Sequence, residues 1–415
     1  MSAATETAEG DKQRVVVDTP EGHEREGVAE LGRAVFPRLY RRSVQPTEHM
    51  LCARMDGEIV GGLIMVIPSE DPERTGIISW LFTAETARGR GVGSRLVGEG
   101  VSYLRERGCT QIVTDIEGHN TSSSNLFAAM GFERTTTTQL VRTSGVRDVL
   151  DIWWLLSYYV DFGHFLWRRP LDDGACQPEH KQDSEKAIQR QDSEKPTLRQ
   201  NSEKPTQRQD PGNRLFPDGL RALSVSWVLN LFVLLLAFVG IAGLFEWTVT
   251  VTELVLLTVL GCAVFVVREA PLGVLAAADT ERWTYRGCTN GIPVSATIGL
   301  LAGAFFPMLG SLYPASETSS YREKQQLFGF GAVMSTSILL ATLLGVSLYG
   351  DSIILVGVSV ESLVAFVVVP FLIVDHLLAF TPFQCYRGRR VYDWNRAVWG
   401  VLALAVLVTL GVVLG

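Results

Sequence analysis

After Leu220 the chain becomes a series of apolar runs too long for a soluble core to cover. About 20 consecutive apolar residues match the hydrocarbon thickness of a bilayer. Five stretches meet that requirement: residues 222–245, 248–267, 328–349, 352–380 and 397–414. A sixth, residues 292–314, is apolar but holds Pro293, Gly299, Gly303, Pro307, Gly310 and Pro314. Broken backbone at membrane depth survives only where protein or water covers it, so this stretch reads as re-entrant. Charge gives the same reading. If the stretch turns back, Arg214, Arg221, Arg268, Arg282, Arg286, Arg322, Lys324, Arg387, Arg389 and Arg390 share one side, as the positive-inside rule prefers. Residues 220–415 are therefore expected to be an all-α polytopic membrane domain with about five spans, in contact with membrane lipid.

The preceding segment is the opposite in character. Gln182-Asp183-Ser184-Glu185-Lys186-Ala187 recurs as Gln191-Asp192-Ser193-Glu194-Lys195-Pro196 and again as Gln200-Asn201-Ser202-Glu203-Lys204-Pro205. Such a repeat is too polar to bury surface, and residues 177–219 read as a disordered tether. Residues 149–176 mix Trp153, Trp154, Tyr158, Tyr159, Phe162, Phe165 and Trp167 with Asp151, Asp161 and His164. That mixture suits a membrane interface and equally suits a closing helix and strand of the domain before it. The average apolar content of 47% hides this division, and the net charge of −7 argues against a nucleic-acid partner. The 6 cysteines lack any Cys-x-x-Cys spacing, so no disulfide or zinc framework is expected. The polar, acidic N-terminus has no signal-peptide pattern.

Residues 1–148 alternate strand and helix signals. Residues 14–17 read as a strand and 27–40 as a helix. Residues 50–54 and 58–67 form a hairpin about Met55-Asp56-Gly57. Residues 76–82 are a strand, 96–104 a helix, 111–116 a strand, and a short helix ends at Met130. The threonine-rich stretch 133–141 reads as a last strand. At the second strand-to-helix junction lies Ala87-Arg88-Gly89-Arg90-Gly91-Val92-Gly93-Ser94-Arg95. Glycines there leave N–H groups free at a helix N-terminus, a geometry that binds phosphate or pyrophosphate. Arg88, Arg90 and Arg95 add positive charge. No Gly-Lys-Ser/Thr follows, and Leu96 stands where the dinucleotide fingerprint needs its third glycine, so neither of those motifs is present.

With Asn120, Phe127, Gly131 and Phe132 downstream, these residues resemble the GNAT superfamily of acyl-CoA N-acyltransferases. Arg88, Gly91 and Gly93 match its Arg/Gln-x-x-Gly-x-Gly/Ala motif. The resemblance implies an α/β (α+β) acyltransferase fold with a mixed central sheet over roughly residues 14–143. It implies acetyl-CoA as co-substrate and an amine, small molecule or protein, as acceptor. Pyrophosphate would sit on Gly89, Arg90, Gly91, Val92, Gly93 and Ser94 beside Arg88, and pantetheine along Phe82 and Thr83 near Asn120 and Phe127. Glu85, Asp115 and Glu117 are the candidate general bases. Phe127 stands where the family often has the tyrosine that protonates the leaving thiolate. Because acyl-CoA is cytosolic, the resemblance also puts the acyltransferase domain and the arginine-rich side in the cytoplasm. A non-catalytic acyl-CoA sensor is the alternative that Phe127 leaves open.

The membrane half is similar to site-2-protease-type intramembrane metalloproteases. Val267-Arg268-Glu269-Ala270-Pro271-Leu272 takes the place of that family's His-Glu-x-x-His, and Arg387-Gly388 that of its Asp-Gly. Only Glu269 and Gly388 survive. Zinc takes about three protein ligands of N, O or S type, so the resemblance implies a pseudoprotease with no metal.

Overall fold

The computed structural model describes residues 15–36, 40–68, 74–118, 120–158, 163–171, 215–246, 248–315, 321–349, 354–355, 358–380 and 385–414. The extreme N-terminus and the repeat of residues 177–214 lie outside the described residues. Contacts divide the chain into two compact units. One takes described residues within 1–115, 126–156 and 166–210, the other those within 116–125, 157–165 and 211–415.

The first unit is built on a sheet. The elements run β1 (Val16–Asp18), α1 (Arg25–Val35), β2 (His49–Met55), β3 (Glu58–Val66), β4 (Arg74–Thr83), α2 (Val92–Glu106), β5 (Cys109–Glu117), α3 (Thr121–Ala129), β6 (Glu133–Arg134), α4 (Thr137–Leu155) and β7 (His164–Pro170). They form a 7-stranded sheet in the order β1-β2-β3-β4-β5-β7-β6. The β2–β3 and β3–β4 pairs are antiparallel and β4–β5 is parallel, so the sheet is mixed, as expected. The β2–β3 turn has Asp56 and Gly57 both at positive φ, the backbone signature of a tight hairpin. Val28 of α1 packs on Met50, Cys52, Ile64 and Phe82. The buried stripe of α2 is Val92, Leu96, Val97, Val101 and Leu104, spaced for one helix face.

One expectation fails here for a local reason. Residues 133–141 are not one strand: β6 stops at Arg134 and α4 begins at Thr137. Thr136 and Gln139 form a reciprocal capping box, with Gln139 N–H donating to Thr136 Oγ1 at 3.2 Å and Thr136 N–H to Gln139 Oε1 at 2.9 Å. Two satisfied donors outweigh the modest β preference of threonine. The aromatic segment resolves into the end of α4 and into β7, which joins the sheet between β5 and β6. The sheet therefore draws its last strand from beyond residue 148.

The second unit is mostly helical: α5 (Leu215–Leu244), α6 (Val251–Ala277), β8 (Trp283–Arg286), α7 (Ile292–Ala302), β9 (Ser311–Pro314), α8 (Tyr321–Tyr349), β10 (Ile354–Leu355), β11 (Val358–Ser359), α9 (Val360–Pro370), α10 (Arg387–Trp394) and α11 (Arg396–Leu414). Residues 215–219, expected in the tether, belong to α5. Among the described residues, four helices are long and apolar enough to cross a membrane: Gly219–Leu244, Val251–Ala277, Glu323–Tyr349 and Arg396–Val413. The fifth expected span, residues 352–380, is not among them: its described residues begin with β10 and β11, and α9 starts only at Val360. α9 ends at Pro370 and continues as a π turn, Phe371–His376, and a 3₁₀ turn, Leu377–Phe380.

Residues 292–314 do not form a spanning helix. α7 has 11 residues, about 16 Å at roughly 1.5 Å per residue, about half the hydrocarbon layer. The chain then runs irregularly and pairs back as β9 on β8. Its exposed backbone groups are met by side chains. Buried Asn230 donates to Met308 O at 3.0 Å and accepts Met308 N–H at 2.7 Å, and Ser295 Oγ donates to Phe306 O.

Candidate functional site

The glycine turn follows directly from β4. Thr83 is the last strand residue, Glu85–Ala87 make a 3₁₀ turn, and Val92 begins α2. Gly89 has φ +76° and Gly91 φ +75°, the left-handed region that glycine enters without penalty. Gly91 is the N-cap and offers no side chain to accept from the helix. The first bond of the helix ladder is Arg95 N–H to Gly91 O at 3.1 Å. The N–H groups of Val92, Gly93 and Ser94 precede it and point out of the helix end. Arg88 and Arg90 are exposed beside them. Arg95 is not available to a ligand there, because its Nη1 donates to Val15 O at 2.9 Å and pins β1 to α2.

The strands on either side open a slot. β4 pairs with β5 from Arg74 with Cys109 to Ile78 with Thr114, and there the ladder ends. A register shift between β3 and β4 at Ile64/Met65 bends β4 at the same level. From Ser79 to Thr83, β4 keeps β3 on one edge and is released from β5 on the other. Phe82 and Thr83 lie on this freed stretch, so a ligand arm can add there as an extra strand. Phe36, Tyr40 and Trp80 form an aromatic wall beside it, with Trp80 4.9 Å from Phe36 and 6.0 Å from Tyr40 between ring centroids. The sequence reading did not single out this wall. Its only signal is the aromatics at the end of α1 and in β4.

The remaining site residues fall as follows. Glu85 is exposed in the 3₁₀ turn, and Asp115 is half-buried on β5 just past the last β4 pair. Phe127 is 3% exposed and packs edge-on against Phe132 at 5.0 Å. A Cβ on Gly93 would lie 3.3 Å from Leu126, the neighbour of Phe127, so α3 passes close to the glycine turn. Glu117 and Asn120 belong to the second unit and are described in place. Asn120 caps α3, accepting Ser123 N–H at 3.1 Å through Oδ1. Glu117 ends β5, half-buried, and loss of hydration pushes its carboxyl up to about 7. That value suits a proton acceptor near neutral pH. His164, at the start of β7, and Arg389 oppose this rise and Asp393 adds to it; none of the three was foreseen as a site residue.

Arg268 and Arg387 of the second unit are buried against two carboxylates. Arg268 is 1% exposed, and all five of its N–H groups have acceptors. Nε and Nη2 take Asp375 Oδ2 and Oδ1, both at 2.9 Å. Nη1 takes Glu269 and Gly310 O, the latter at 2.8 Å, and Nη2 also takes Cys385 O at 3.0 Å. Arg387 Nη2 lies 2.9 Å from Glu269 Oε1 and donates to Arg268 O, and its N–H donates to Asp375 at 3.1 Å. Two arginines thus meet two carboxylates, while Arg387 Nε and Nη1 and Glu269 Oε2 are buried without a hydrogen-bond partner among the described residues. Gly388 is glycine for a steric reason: a Cβ there would collide with His376 O of the π turn. Leu272 lies in an apolar cluster with Tyr313 and Phe328. Among the described residues no group of three or more His, Cys, Asp or Glu is placed to hold a metal.

Residues 17–132 match the model of the acetyltransferase (GNAT) family. The mycothiol acetyltransferase of Sanguibacter keddieii is 32% identical over 122 residues, which are 28% of this chain and 39% of that protein. The mycothiol acetyltransferase of Corynebacterium jeikeium is 34% identical over 94 residues, 20% of this chain and 27% of that protein. The chain therefore spans well under half the length of these curated relatives. Among solved structures, N-acetylglutamate synthase from Neisseria gonorrhoeae, in complex with coenzyme A and N-acetylglutamate, gives a TM-score of 0.29. Its identity is 16%, over 38% of this chain and 35% of that one.

Proposed function

We propose that the chain is a membrane-anchored N-acetyltransferase that moves an acetyl group from acetyl-CoA to an amine on the cytoplasmic side. The observation that carries this reading is the uncapped start of α2, with Val92, Gly93 and Ser94 presenting N–H groups between Arg88 and Arg90. These groups suit a pyrophosphate. When bound, acetyl-CoA supplies the acetyl group as a thioester. The freed edge of β4 at Phe82 and Thr83 would align the pantetheine arm and give a backbone donor to the thioester oxygen. Glu117, with its raised carboxyl, is the favoured base to take the amine proton, ahead of exposed Glu85 and of Asp115. The aromatic wall of Trp80, Phe36 and Tyr40 suits a cationic or apolar amine held before deprotonation.

Phe127 supports a second reading, an acyl-CoA sensor, because it brings no hydroxyl to protonate the leaving thiolate. The two part on one experiment. Purified full-length protein is given acetyl-CoA and a panel of amines, and free thiol is followed. Thiol release that depends on the amine supports the enzyme. Tight acetyl-CoA binding with no release for any amine supports the sensor.

For the membrane half we propose a pseudoprotease with five spans, the N-terminus inside and residues 292–314 re-entrant. The saturated Arg268 supports this, since a guanidinium fills the place a metal would need. Stoichiometric zinc in the purified protein, measured by elemental analysis, would contradict it.

A further inference from the structure

Gly145, at φ +85° and ψ 166°, kinks α4 and sets residues 146–155 off as a run of helix of their own. One side of that run is buried, through Val149, Ile152 and the C-cap residue Leu156. The other side is apolar too. Val146, Leu150 and Trp154 recur at every fourth residue, so they line up along the helix. They are 62%, 59% and 73% exposed. Among the described residues of the first unit, the exposed large apolar side chains are these three, Leu155 on the same helix and Val16 on β1. Exposed Arg147 and Asp151 border the stripe. A surface helix ordinarily turns its apolar face to its own core. A second apolar face, gathering most of the exposed large apolar residues of the unit, marks a contact surface.

We propose that this stripe rests on the lipid bilayer, with Val146, Leu150 and Trp154 inserted at the boundary between headgroups and acyl chains. The proposal rests on reading the second unit as membrane-embedded. The occupant follows from where the chain goes next. Residues 171–214 link β7 to α5, and Gly219–Leu244 of α5 is long and apolar enough to cross a membrane. At no more than about 3.6 Å per residue, that link keeps the first unit within roughly 160 Å of the surface. Lipid is therefore the apolar phase always within reach, at high local concentration. The residue types agree. Tryptophan is favoured at that depth, and Arg147 can lay its stem along the stripe while its guanidinium reaches the headgroups. Arg147 and Asp151 carry opposite charges, so attachment depends on apolar insertion and requires no anionic lipid.

Full-length protein in phosphatidylcholine nanodiscs, with the photo-reactive residue p-benzoylphenylalanine at one position, is irradiated and its adducts are identified by mass spectrometry. Position 154 should acquire a phospholipid. Position 16, also apolar and exposed, should not. The adduct at 154 should be lost in Val146→Glu/Leu150→Glu, with amide hydrogen exchange in β4 and β5 as in wild type. If that double variant unfolds, the adduct at 154 in the otherwise native chain still decides. A crosslink from 154 to a peptide of the same chain or of a second copy, in place of lipid, would overturn the proposal, as would the absence of any lipid adduct there. An adduct that forms only when phosphatidylglycerol is added would overturn the apolar mode of attachment. Val228, exposed on α5, separates this proposal from the reading it rests on. No lipid at position 228 would sink the membrane reading, whereas lipid at 228 with none at 154 overturns the stripe alone.

Discussion

The N–H groups of Val92, Gly93 and Ser94 and those of the Arg268 guanidinium are both convergent clusters of donors, left in opposite states. The first lie at a helix start whose cap, Gly91, has no side chain to accept them. The second are buried and each has an acceptor from the protein. Donors facing solvent cost little to leave open and can be claimed by a ligand. Buried donors must be met internally, because each orphan costs about 1–3 kcal/mol. The difference separates the proposed place for an outside anion from a place where the protein supplies counter-charges of its own. It also explains how Arg268 and Arg387 are buried within the second unit: Glu269 and Asp375 lie against them.

The largest effect should come from breaking the closed side of the comparison. Arg268→Ala leaves Asp375 buried without its partner and should cost about 3–5 kcal/mol, read as a fall in the denaturation midpoint of detergent-solubilised protein. The double variant Arg268→Met/Asp375→Leu should recover part of that loss, because an apolar pair replaces a broken ionic one. A midpoint unchanged in Arg268→Ala would mean the network is not structural.

On the open side, Glu117→Gln should lower kcat/KM by roughly 10²–10⁴ with acetyl-CoA affinity intact. The base must be ionised to work. With its carboxyl raised to about 7, wild-type kcat/KM should fall about tenfold per pH unit below that value and level off above it. The acidic limb should vanish from the residual activity of Glu117→Gln. A limb that persists would transfer the role to Asp115 or Glu85. Trp80→Leu should raise KM for a cationic amine about fivefold, the equivalent of roughly 1 kcal/mol, and leave kcat alone. The smallest effect is expected of Phe127→Tyr, which restores a proton donor: turnover should hold or rise modestly. A large loss would mean that the edge-on packing against Phe132 is what the position requires.

The parts of this molecule legible in the sequence are those decided locally. Gly89 and Gly91 announce a left-handed turn because few other residues enter that conformation readily, and the apolar runs announce long helices because nothing else buries them. The threonines at 135–138 misled because a capping box with Gln139 outweighed their strand preference. Residues 352–380 read as one uninterrupted span, yet the helix changes pitch after Pro370 and carries Asp375 to Arg268. That partnership joins residues 107 apart, and no periodicity reports it. Arg268 and Arg387 drew notice through a resemblance, while the Asp375 carboxylate against them did not. The β4–β5 slot was expected only through the family resemblance; its physical cause, a ladder that stops at Thr114, appears only in three dimensions.

The central claim is that the open donors of α2 hold the pyrophosphate of acetyl-CoA. Calorimetric titration of acetyl-CoA into wild type and Gly91→Asp tests it most directly, with Gly91→Asn, which tolerates a left-handed backbone without adding charge, as the control for local fold. Wild type and Gly91→Asn should bind, and Gly91→Asp should lose more than about 100-fold in affinity, roughly 2.7 kcal/mol. Unchanged affinity in Gly91→Asp would contradict the account.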